Sequence, residues 1–319
     1  MGNYIAKDQI VVENNTYDKY ETVPFLPPKK GRIAEGGLRT KGHFKRGLPG
    51  RPLVSIITVV LNNDKYLEQT ILSVTSQSYD NVEYLIIDGG SSDRTLEIID
   101  KYESVIDYWI SEKDNGTSEA INKGISLAFG DIIGFINSDD WYEKDSIFEI
   151  ASAFGLNKEA AIICGRLKMA DGPKKGQVIM SVPSDLYKNM TVETPATFFK
   201  KTVFKQYGVF DSQYKVGNDY ELFLRFYMSK VKFLTIKKVI ANMRFNGMSQ
   251  KKWLQAFKDV RQAQIKLTGK KFMATMLFIY KVTRFSFKNL LEKRTPFIIL
   301  FYRKYFSRYY RNVKNPDYN

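Results

Sequence analysis

The chain has 319 residues with a formal net charge of +15, and it contains one cysteine and one histidine. The length suits one large domain with appendages, or two domains. The single cysteine excludes a disulfide framework and indicates a reduced compartment. Because histidine and cysteine are both scarce, histidine-dependent nucleophilic catalysis and a zinc site are disfavoured. Acid-base chemistry must therefore use carboxylates, and any metal should be an oxygen-liking cation such as Mg²⁺ or Mn²⁺.

The positive charge is concentrated at the ends of the chain. Residues 251–319 hold 17 Lys and Arg against 3 Asp and Glu, residues 1–51 hold 10 against 5, and the middle is slightly acidic. No apolar stretch near the N-terminus is long enough for a signal peptide, and no C-terminal run reaches the roughly 20 residues that cross a bilayer. We therefore expect a cytoplasmic protein that is peripheral on the inner face of the cell membrane.

The predicted elements begin after a polar segment. Residues 1–51 are rich in Pro, Gly and charge and contain His43, which predicts an N-terminal extension or linker. Residues 52–250 then alternate apolar runs with segments of helical period. The predicted strands cover 53–60, 82–88, 105–111 and 131–136, and the predicted helices cover 66–77, 94–103 and 119–129. This alternation predicts an α/β fold with a doubly wound, mostly parallel sheet and helices on both faces.

Polar, acidic segments follow each predicted strand, at 61–64, 88–95, 111–116 and 137–140. Because ligands bind beyond the carboxyl ends of parallel strands, we expect these segments to share one rim. Asp88 would either shape a strand-to-helix turn or accept hydrogen bonds from a nucleotide. No G-x-G-x-x-G motif follows the first two strands, which disfavours a nicotinamide cofactor.

Asp139 and Asp140 are adjacent carboxylates at the end of the fourth predicted strand. Neighbouring like charges favour a bound cation, and a cation shared with a substrate diphosphate needs only one or two protein carboxylates. The alternative is a helix cap, since a helix is predicted from residue 141. Metal binding is the favoured interpretation because the pair lies on the predicted rim.

Four segments carry a family resemblance: "VSIITVVLNN", "VEYLIIDGGSSDRT", "EAINKGISLAFGDIIGFINSDD" and "GVFDSQYKVGNDYELFLRF". Their order over residues 53–250 resembles family 2 glycosyltransferases of the GT-A fold, and most closely the bacterial enzymes that assemble surface polysaccharides and lipopolysaccharide. The resemblance implies metal-dependent, inverting transfer of a hexosyl or N-acetylhexosaminyl group from a nucleoside-diphosphate sugar to a hydroxyl of a glycan or lipid-linked acceptor.

The resemblance also implies roles for individual residues. Asp219 would be the catalytic base, with a helix cap as its alternative role, and Asp139 and Asp140 would hold the Mn²⁺ or Mg²⁺ ion. The chain departs from the family pattern at Asn137 and Asn218, where acidic residues are common. Ser249 is a weaker candidate near the diphosphate. The residues implied to contact the nucleotide or donor are Val60, Asn62, Asp88, Asn122, Lys123, Ser138, Asp139 and Arg244.

The C-terminal region, residues 251–319, interleaves aromatic and basic residues. We expect a basic amphipathic helical region whose first helix ends at Gly269. It would contact anionic lipid, bind single-stranded nucleic acid, or pack on the domain or a partner subunit. Membrane contact with some packing is favoured because the apolar clusters are dense, and no nucleic-acid partner is expected. Two rival functions remain, a nucleotidyltransferase of related fold and a basic nucleic-acid-binding protein.

Overall fold

The computed structural model describes residues 4–10, 16, 18–245 and 251–294. Its strands β1 to β12 are Tyr4–Ile5, Arg32–Gly36, Phe44–Lys45, Val54–Val60, Val82–Asp88, Tyr108–Glu112, Ile132–Phe135, Trp141–Tyr142, Ile162–Met169, Val178–Met180, Thr197–Lys200 and Phe233–Met243. Its helices α1 to α8 are Leu67–Thr75, Thr95–Lys101, Thr117–Leu127, Ser146–Leu156, Lys201–Tyr207, Asn218–Met228, Trp253–Thr268 and Lys271–Arg294.

One mixed sheet organises the described part of the chain. Its strand order is β2-β6-β5-β4-β7-β11-β9-β12-β8, and β10 pairs with β9 at the side. The central strands β6, β5, β4 and β7 are parallel, as their continuous apolar runs predict. Antiparallel strands flank them, with β2 next to β6 and β11 between β7 and β9. The carboxyl ends of the four parallel strands therefore meet at one edge of the sheet.

Helices cover both faces of this sheet. One face packs against α1, α2 and α4 in a cluster that includes Ile71, Ile99 and Ile150. The other face packs against α3, α5 and α6 in a cluster that includes Ile125 and Phe223. Alternating residues of the central strands contribute side chains to the two clusters, because successive side chains of a strand point to opposite faces of the sheet. The predicted α/β sheet with helices on both sides is confirmed.

The segment after Asp140 differs from its prediction. Trp141 and Tyr142 form the short strand β8 against β12, and α4 begins only at Ser146. The residue that precedes α4 is Asp145, in the left-handed conformation with φ 63°. The helix predicted from residue 141 is therefore wrong at its start, and neither Asp139 nor Asp140 caps it.

The N-terminal segment is part of the fold rather than a linker. Strand β2 pairs antiparallel with β6 at the edge of the sheet, and Phe44 is buried. His43 stacks edge to face on Tyr4, with ring centroids 5.4 Å apart. This segment has no core of its own, and it buries its few apolar residues against the sheet. The predicted boundary at residue 52 is therefore not a structural boundary.

A buried ion pair fastens this segment to the centre of the sheet. The Arg39 guanidinium donates to Glu83 Oε1 at 2.5 Å and to the Leu127 carbonyl at 2.7 Å. The other Glu83 oxygen accepts hydrogen bonds from the Ser55 hydroxyl and the Phe129 amide, and both charged side chains are only 1% exposed. The protein thus supplies every polar partner of Glu83. Removal of either Arg39 or Glu83 would leave the other charged side chain buried without its partner.

The C-terminal helices extend from the domain. Helix α7 packs on α6 through Tyr220, Leu224 and Ala263, and it ends at Gly269 in the left-handed conformation, as predicted. Helix α8 contacts α7 through Trp253 and Phe285, whose ring centroids are 4.5 Å apart. Among the described helices, none combines the length and apolar composition that a bilayer-crossing segment requires. Residues 295–319 of the predicted C-terminal region lie outside the described residues.

We predict that Arg39→Met destabilises the protein by about 3–5 kcal/mol, because the substitution leaves the Glu83 charge buried without its partner. Urea unfolding followed by circular dichroism measures this change. Arg94→Met is the matched control, since Arg94 pairs with Glu97 on the surface with both side chains more than two thirds exposed. That control should change stability by less than about 1 kcal/mol. Equal effects of the two substitutions would contradict the role of the buried pair.

Candidate active site

Hydrogen bonds join the loops that follow the parallel strands. The Asn62 amide donates to Ser91 Oγ at 2.7 Å, which joins the loops after β4 and β5. Asn63 Nδ2 donates to Ser138 Oγ at 2.9 Å, which joins the loops after β4 and β7. The Ser111 hydroxyl, near the end of β6, donates to Asp88 at 2.6 Å. The rim predicted from the strand ends is therefore one continuous structure, which we call the carboxyl rim.

Asp88 organises the loop that follows it. Its carboxylate accepts hydrogen bonds from the Gly90 amide, from the amide and hydroxyl of Ser91, and from the Ser111 hydroxyl. The side chain is fully buried. The turn-shaping alternative is therefore present in the structure, whereas direct contact with a nucleotide stays a prediction that this burial does not favour.

Val60 and Asn62 form the neighbouring part of the carboxyl rim. The Val60 carbonyl accepts a hydrogen bond from the Gly89 amide at 2.9 Å, so this backbone is fixed against the loop after β5. Asn62 is exposed and adopts a left-handed conformation with φ 50°. Its side-chain oxygen accepts from the Ser92 amide at 2.8 Å, which leaves the side-chain NH₂ group without a partner among the described residues. Asn62 can thus offer a donor to a ligand at the rim.

Asp139 and Asp140 have different environments. Asp140 is 2% exposed, and its two oxygens accept from the Arg244 amide at 3.0 Å and from Asn137 Nδ2 at 3.1 Å. Burial, and then the neighbouring Asp139 charge, raises the pKa of Asp140 to about 8. Asp139 is half-buried and accepts no side-chain hydrogen bond from another described residue. Asp139 is therefore the member of the pair that is free to bind a ligand, and Asp140 supports the turn behind it.

Arg244 lies beside this pair. Its backbone amide contacts Asp140, and its guanidinium donates to Gln69 at 2.5 Å while stacking on Tyr66 at 4.1 Å and on Trp141 at 4.8 Å. Aromatic stacking holds the guanidinium in place without neutralising it. An Arg fixed in this way next to Asp139 suits an anionic ligand group. Ser249 lies outside the described residues.

Asn122 and Lys123 are engaged in structural contacts. The Asn122 amide exchanges both of its hydrogen bonds with the Phe210 backbone, at 2.8 and 3.0 Å. The Lys123 ammonium lies 2.7 Å from Glu112 and 3.4 Å from Glu119, and it also bonds Asp114. Three carboxylates thus surround Lys123. The contacts of both residues with a donor stay predictions, and these partners compete with them.

Asp219 lies in the first turn of α6, near the same rim. The preceding Asn218 donates from Nδ2 to Ser118 Oγ at 2.8 Å, which ties the start of α6 to the start of α3, directly after β6 and its loop. Asp219 Oδ1 accepts from the Tyr220 amide at 2.7 Å, and no other described group donates to its carboxylate. Burial raises the pKa of Asp219 to about 6. It is ionised at neutral pH yet basic enough to accept a proton.

Two further carboxylates, which the sequence did not single out, complete the acidic cleft. Burial, and then the Asp219 charge, raises the pKa of Glu193 to about 7. Burial is likewise the main cause that raises the pKa of Asp139, and the Asp171 charge adds to it. The Lys174 charge opposes the shift at Glu193. The Asp171 charge acts on Asp139, the Lys174 charge from the turn after Asp171 acts on Glu193, and the Asp219 charge also acts on Glu193, so electrostatic interactions link these groups in sequence. We use the name acidic cleft for Asp139, Asp171, Glu193 and Asp219.

The carboxylate oxygens at this site suit a hard divalent cation that substrate phosphates help to hold. Within residues 4–10, 16, 18–245 and 251–294, no group of three or more His, Cys, Asp or Glu side chains could enclose a metal by itself. Mg²⁺ and Mn²⁺ sites that use substrate phosphates need only one or two protein carboxylates. Asp139, whose carboxylate accepts no hydrogen bond from another described residue, could supply such a carboxylate.

Comparison with known proteins gives two kinds of similarity. The family model "Glycosyl transferase family 2" matches residues 55–211. An uncharacterized glycosyltransferase of Mycobacterium tuberculosis is 31% identical over 180 residues, which cover 54% of this chain and 68% of the relative. The putative teichuronic acid biosynthesis glycosyltransferase TuaG of Bacillus subtilis is 37% identical over 100 residues, covering 30% of this chain and 40% of the relative.

Solved structures share the fold at low sequence identity. Staphylococcus aureus TarS 1–349 in complex with UDP-GlcNAc has a TM-score of 0.57 and 16% identity, covering 76% of both chains. The mannosyltransferase PcManGT of Pyrobaculum calidifontis, in complex with GDP-Man and Mn²⁺, has a TM-score of 0.53 and 14% identity, covering 78% of this chain and 83% of that one.

The sheet, its helices and the rim define an α/β enzyme of the GT-A fold class. The sequence matches then give the narrower assignment: the chain belongs to glycosyltransferase family 2. It is a glycosyltransferase, which decides among the three functions that the sequence left open.

Proposed function

We propose that the protein is a metal-dependent, inverting glycosyltransferase that moves a sugar from a nucleoside-diphosphate sugar to an acceptor hydroxyl. The main support is that Asp139 accepts no hydrogen bond from another described side chain and that Asp219 keeps one carboxylate oxygen without a described partner, with both residues near the carboxyl rim. Bound UDP-GlcNAc in TarS, and bound GDP-Man and Mn²⁺ in PcManGT, support a nucleotide-sugar donor and a divalent cation.

Each residue of the cleft has a defined task in this mechanism. Asp139 would hold the cation, and Arg244 would contact the donor phosphates next to it. A bound Mg²⁺ or Mn²⁺ ion would stabilise the negative charge that the diphosphate gains as the bond to the sugar breaks. Asp219 accepts the proton of the acceptor hydroxyl while the hydroxyl oxygen attacks the anomeric carbon. Attack on the face opposite the departing diphosphate inverts the configuration at that carbon.

Glu193 lies close enough to Asp219 for their charges to interact. Because the family position before the base is occupied by the uncharged Asn218, Glu193 is the available second carboxylate near the base. When ionised, its carboxylate would accept a hydrogen bond from a sugar hydroxyl of the acceptor. The teichuronic acid biosynthesis assignment of TuaG supports an acceptor in cell-surface polysaccharide assembly, either a glycan or a lipid-linked sugar.

The direct experiment is a donor screen that measures nucleoside diphosphate release from a panel of nucleotide sugars with Mn²⁺, with Mg²⁺ or with EDTA. We expect release with one or a few donors, and loss of release in EDTA. Asp139→Asn should lower the cation dependence and the rate by at least roughly a hundredfold, because a charged cation ligand is removed. Undiminished release in EDTA would contradict metal dependence.

Asp219→Asn should lower kcat by roughly 10²–10⁴-fold while preserving nucleotide-sugar affinity, since only the proton acceptor is removed. For the unsubstituted enzyme, kcat/KM should fall tenfold per pH unit below about pH 6, because protonated Asp219 cannot accept a proton. Steady-state kinetics over a pH series measure both effects.

Calorimetric titration of Asp219→Asn with the donor is the matched control for that substitution. Unchanged turnover in the variant, or a profile that stays flat to pH 5, would contradict the assignment of the base. Loss of donor affinity together with turnover would instead point to a structural role for Asp219 at the start of α6.

We also propose that α8 lies on the surface of an anionic membrane. Its 24 residues span about 36 Å, and its exposed apolar side chains recur at helical spacing, which places them on one helical face. Basic side chains at Lys270, Lys271 and Arg284 flank this face. An apolar face bordered by basic residues is typical of interfacial helices. The exposed apolar side chains are Phe272, Met273, Met276, Ile279, Tyr280, Phe287 and Leu290.

Liposome sedimentation tests this anchor. The full chain should sediment with phosphatidylglycerol-containing vesicles and much less with neutral ones, and Phe272→Glu/Phe287→Glu should reduce binding at least about tenfold. Leu156→Glu is the control, because Leu156 is 85% exposed on α4 and lies outside the α8 face. Binding to both vesicle types alike, or to neither, would contradict the electrostatic anchor.

A further inference from the structure

A second concave site lies at the opposite edge of the sheet from the acidic cleft. It is a cavity of about 800 Å³, lined in part by Pro52 and Ile132, which lie at the amino ends of β4 and β7. Seven-residue strands rise about 3.3 Å per residue, so roughly 20 Å separates this cavity from the carboxyl rim. We call it the basic cavity, and it is distinct from the donor site.

The lining of this cavity is strongly positive. Six basic side chains and one acidic side chain, Asp131, face it. The basic residues come from the N-terminal segment, from the end of α4, and from the junction of β11 and α5. They are Lys45, Arg46, Lys158, Lys200, Lys201 and Lys205. Because these segments are far apart in sequence, the fold alone gathers the charges.

Most of these charges have no acidic partner. Lys45 pairs with Asp107 at 2.9 Å and Lys205 pairs with Asp18 at 2.8 Å. Lys200 donates to the Lys158 carbonyl at 2.5 Å and Lys201 donates to the Ala128 carbonyl at 2.7 Å. Carbonyl contacts orient the ammonium groups without neutralising them. Arg46, Lys158, Lys200 and Lys201 form no ion pair with a described residue.

The crowding of these cations is unfavourable in the absence of an anion. Burial is the main cause that lowers the pKa of Lys201 to about 8, and the Lys205 charge adds to it. Burial and the Lys158 charge also lower the pKa of Lys200. The Glu83 and Asp131 charges oppose this shift at Lys201, although neither forms an ion pair with it. An anion in the cavity would relieve the repulsion and supply the missing partners.

We propose that the basic cavity binds a phosphorylated small molecule that carries two or more negative charges. Several converging Lys and Arg donors suit phosphate oxygens, which accept charge-assisted hydrogen bonds. The volume is in the range of small-molecule sites and exceeds what inorganic phosphate fills. A diphosphate-bearing nucleotide or a phosphorylated sugar matches both the charge and the size. This site does not depend on the function proposed for the acidic cleft.

Equilibrium dialysis with radiolabelled inorganic pyrophosphate tests the proposal. EDTA is present throughout, so that metal-dependent binding at the donor site is suppressed. We expect one pyrophosphate per chain, and binding at least roughly tenfold weaker in Arg46→Gln/Lys158→Gln, as loss of charge-assisted hydrogen bonds predicts. Both side chains are exposed and make no described contact, so this variant should fold normally, which thermal unfolding in the absence of ligand checks.

Two further variants make the result specific to the cavity. Lys237→Gln/Lys258→Gln removes the same number of exposed positive charges elsewhere on the surface and should leave the affinity for pyrophosphate unchanged. Asp139→Asn alters the acidic cleft and should also leave it unchanged. Equal weakening in the cavity variant and the surface control, or no pyrophosphate binding to the unsubstituted protein, would overturn the proposal.

Discussion

The burial of carboxylates at one edge of the sheet is the constraint on which the candidate active site depends. Parallel pairing of β4 with β5 and β7 brings acidic loops together, and hydrogen bonds from Asn62 to Ser91 and from Asn63 to Ser138 fix those loops. The carboxylates cannot move apart without breaking this framework. Burial is the main cause of the raised pKa values of Asp139, Asp140, Glu193 and Asp219, and a neighbouring carboxylate charge adds to it at the first three. A cation bound beside these carboxylates would lower this cost, as the proposed chemistry requires.

The two edges of the sheet have opposite electrostatic character. The carboxyl rim gathers acids beside the stacked guanidinium of Arg244, whereas the amino edge gathers lysines around the basic cavity. A net charge of +15 hides this separation, because the sum does not record where the charges lie. Helix α8 adds a third surface with exposed apolar side chains. The proposed transfer from a soluble donor to a surface-bound acceptor would use separate environments of this kind.

The strands and helices of the central domain were predictable because their apolar periodicity is strong. The strand predicted over 82–88 matches β5 residue for residue, and Gly269 ends α7 as its conformational freedom predicts. Short elements stabilised by distant partners were not predictable. Strand β8 exists only because β12 pairs with it, and β2 exists only because the edge of β6 is open to it. Local secondary-structure propensity cannot predict pairing between strands that lie so far apart in the sequence.

The residue types of the active site follow from the sequence, since scarce His and Cys leave carboxylates as the available bases and metal ligands. Which carboxylates are free was decided by tertiary structure. Both carboxylate oxygens of Asp88 and of Asp140 accept hydrogen bonds within the protein, whereas Asp219 accepts at one oxygen only and Asp139 accepts none from another described side chain. Glu193, Asp171 and the basic cavity gain their significance from neighbours that lie far away in the chain. The order of residues fixes the chemistry that is available, but distance and burial determine which charged groups meet, because electrostatic interaction depends on separation in space and on exclusion of water.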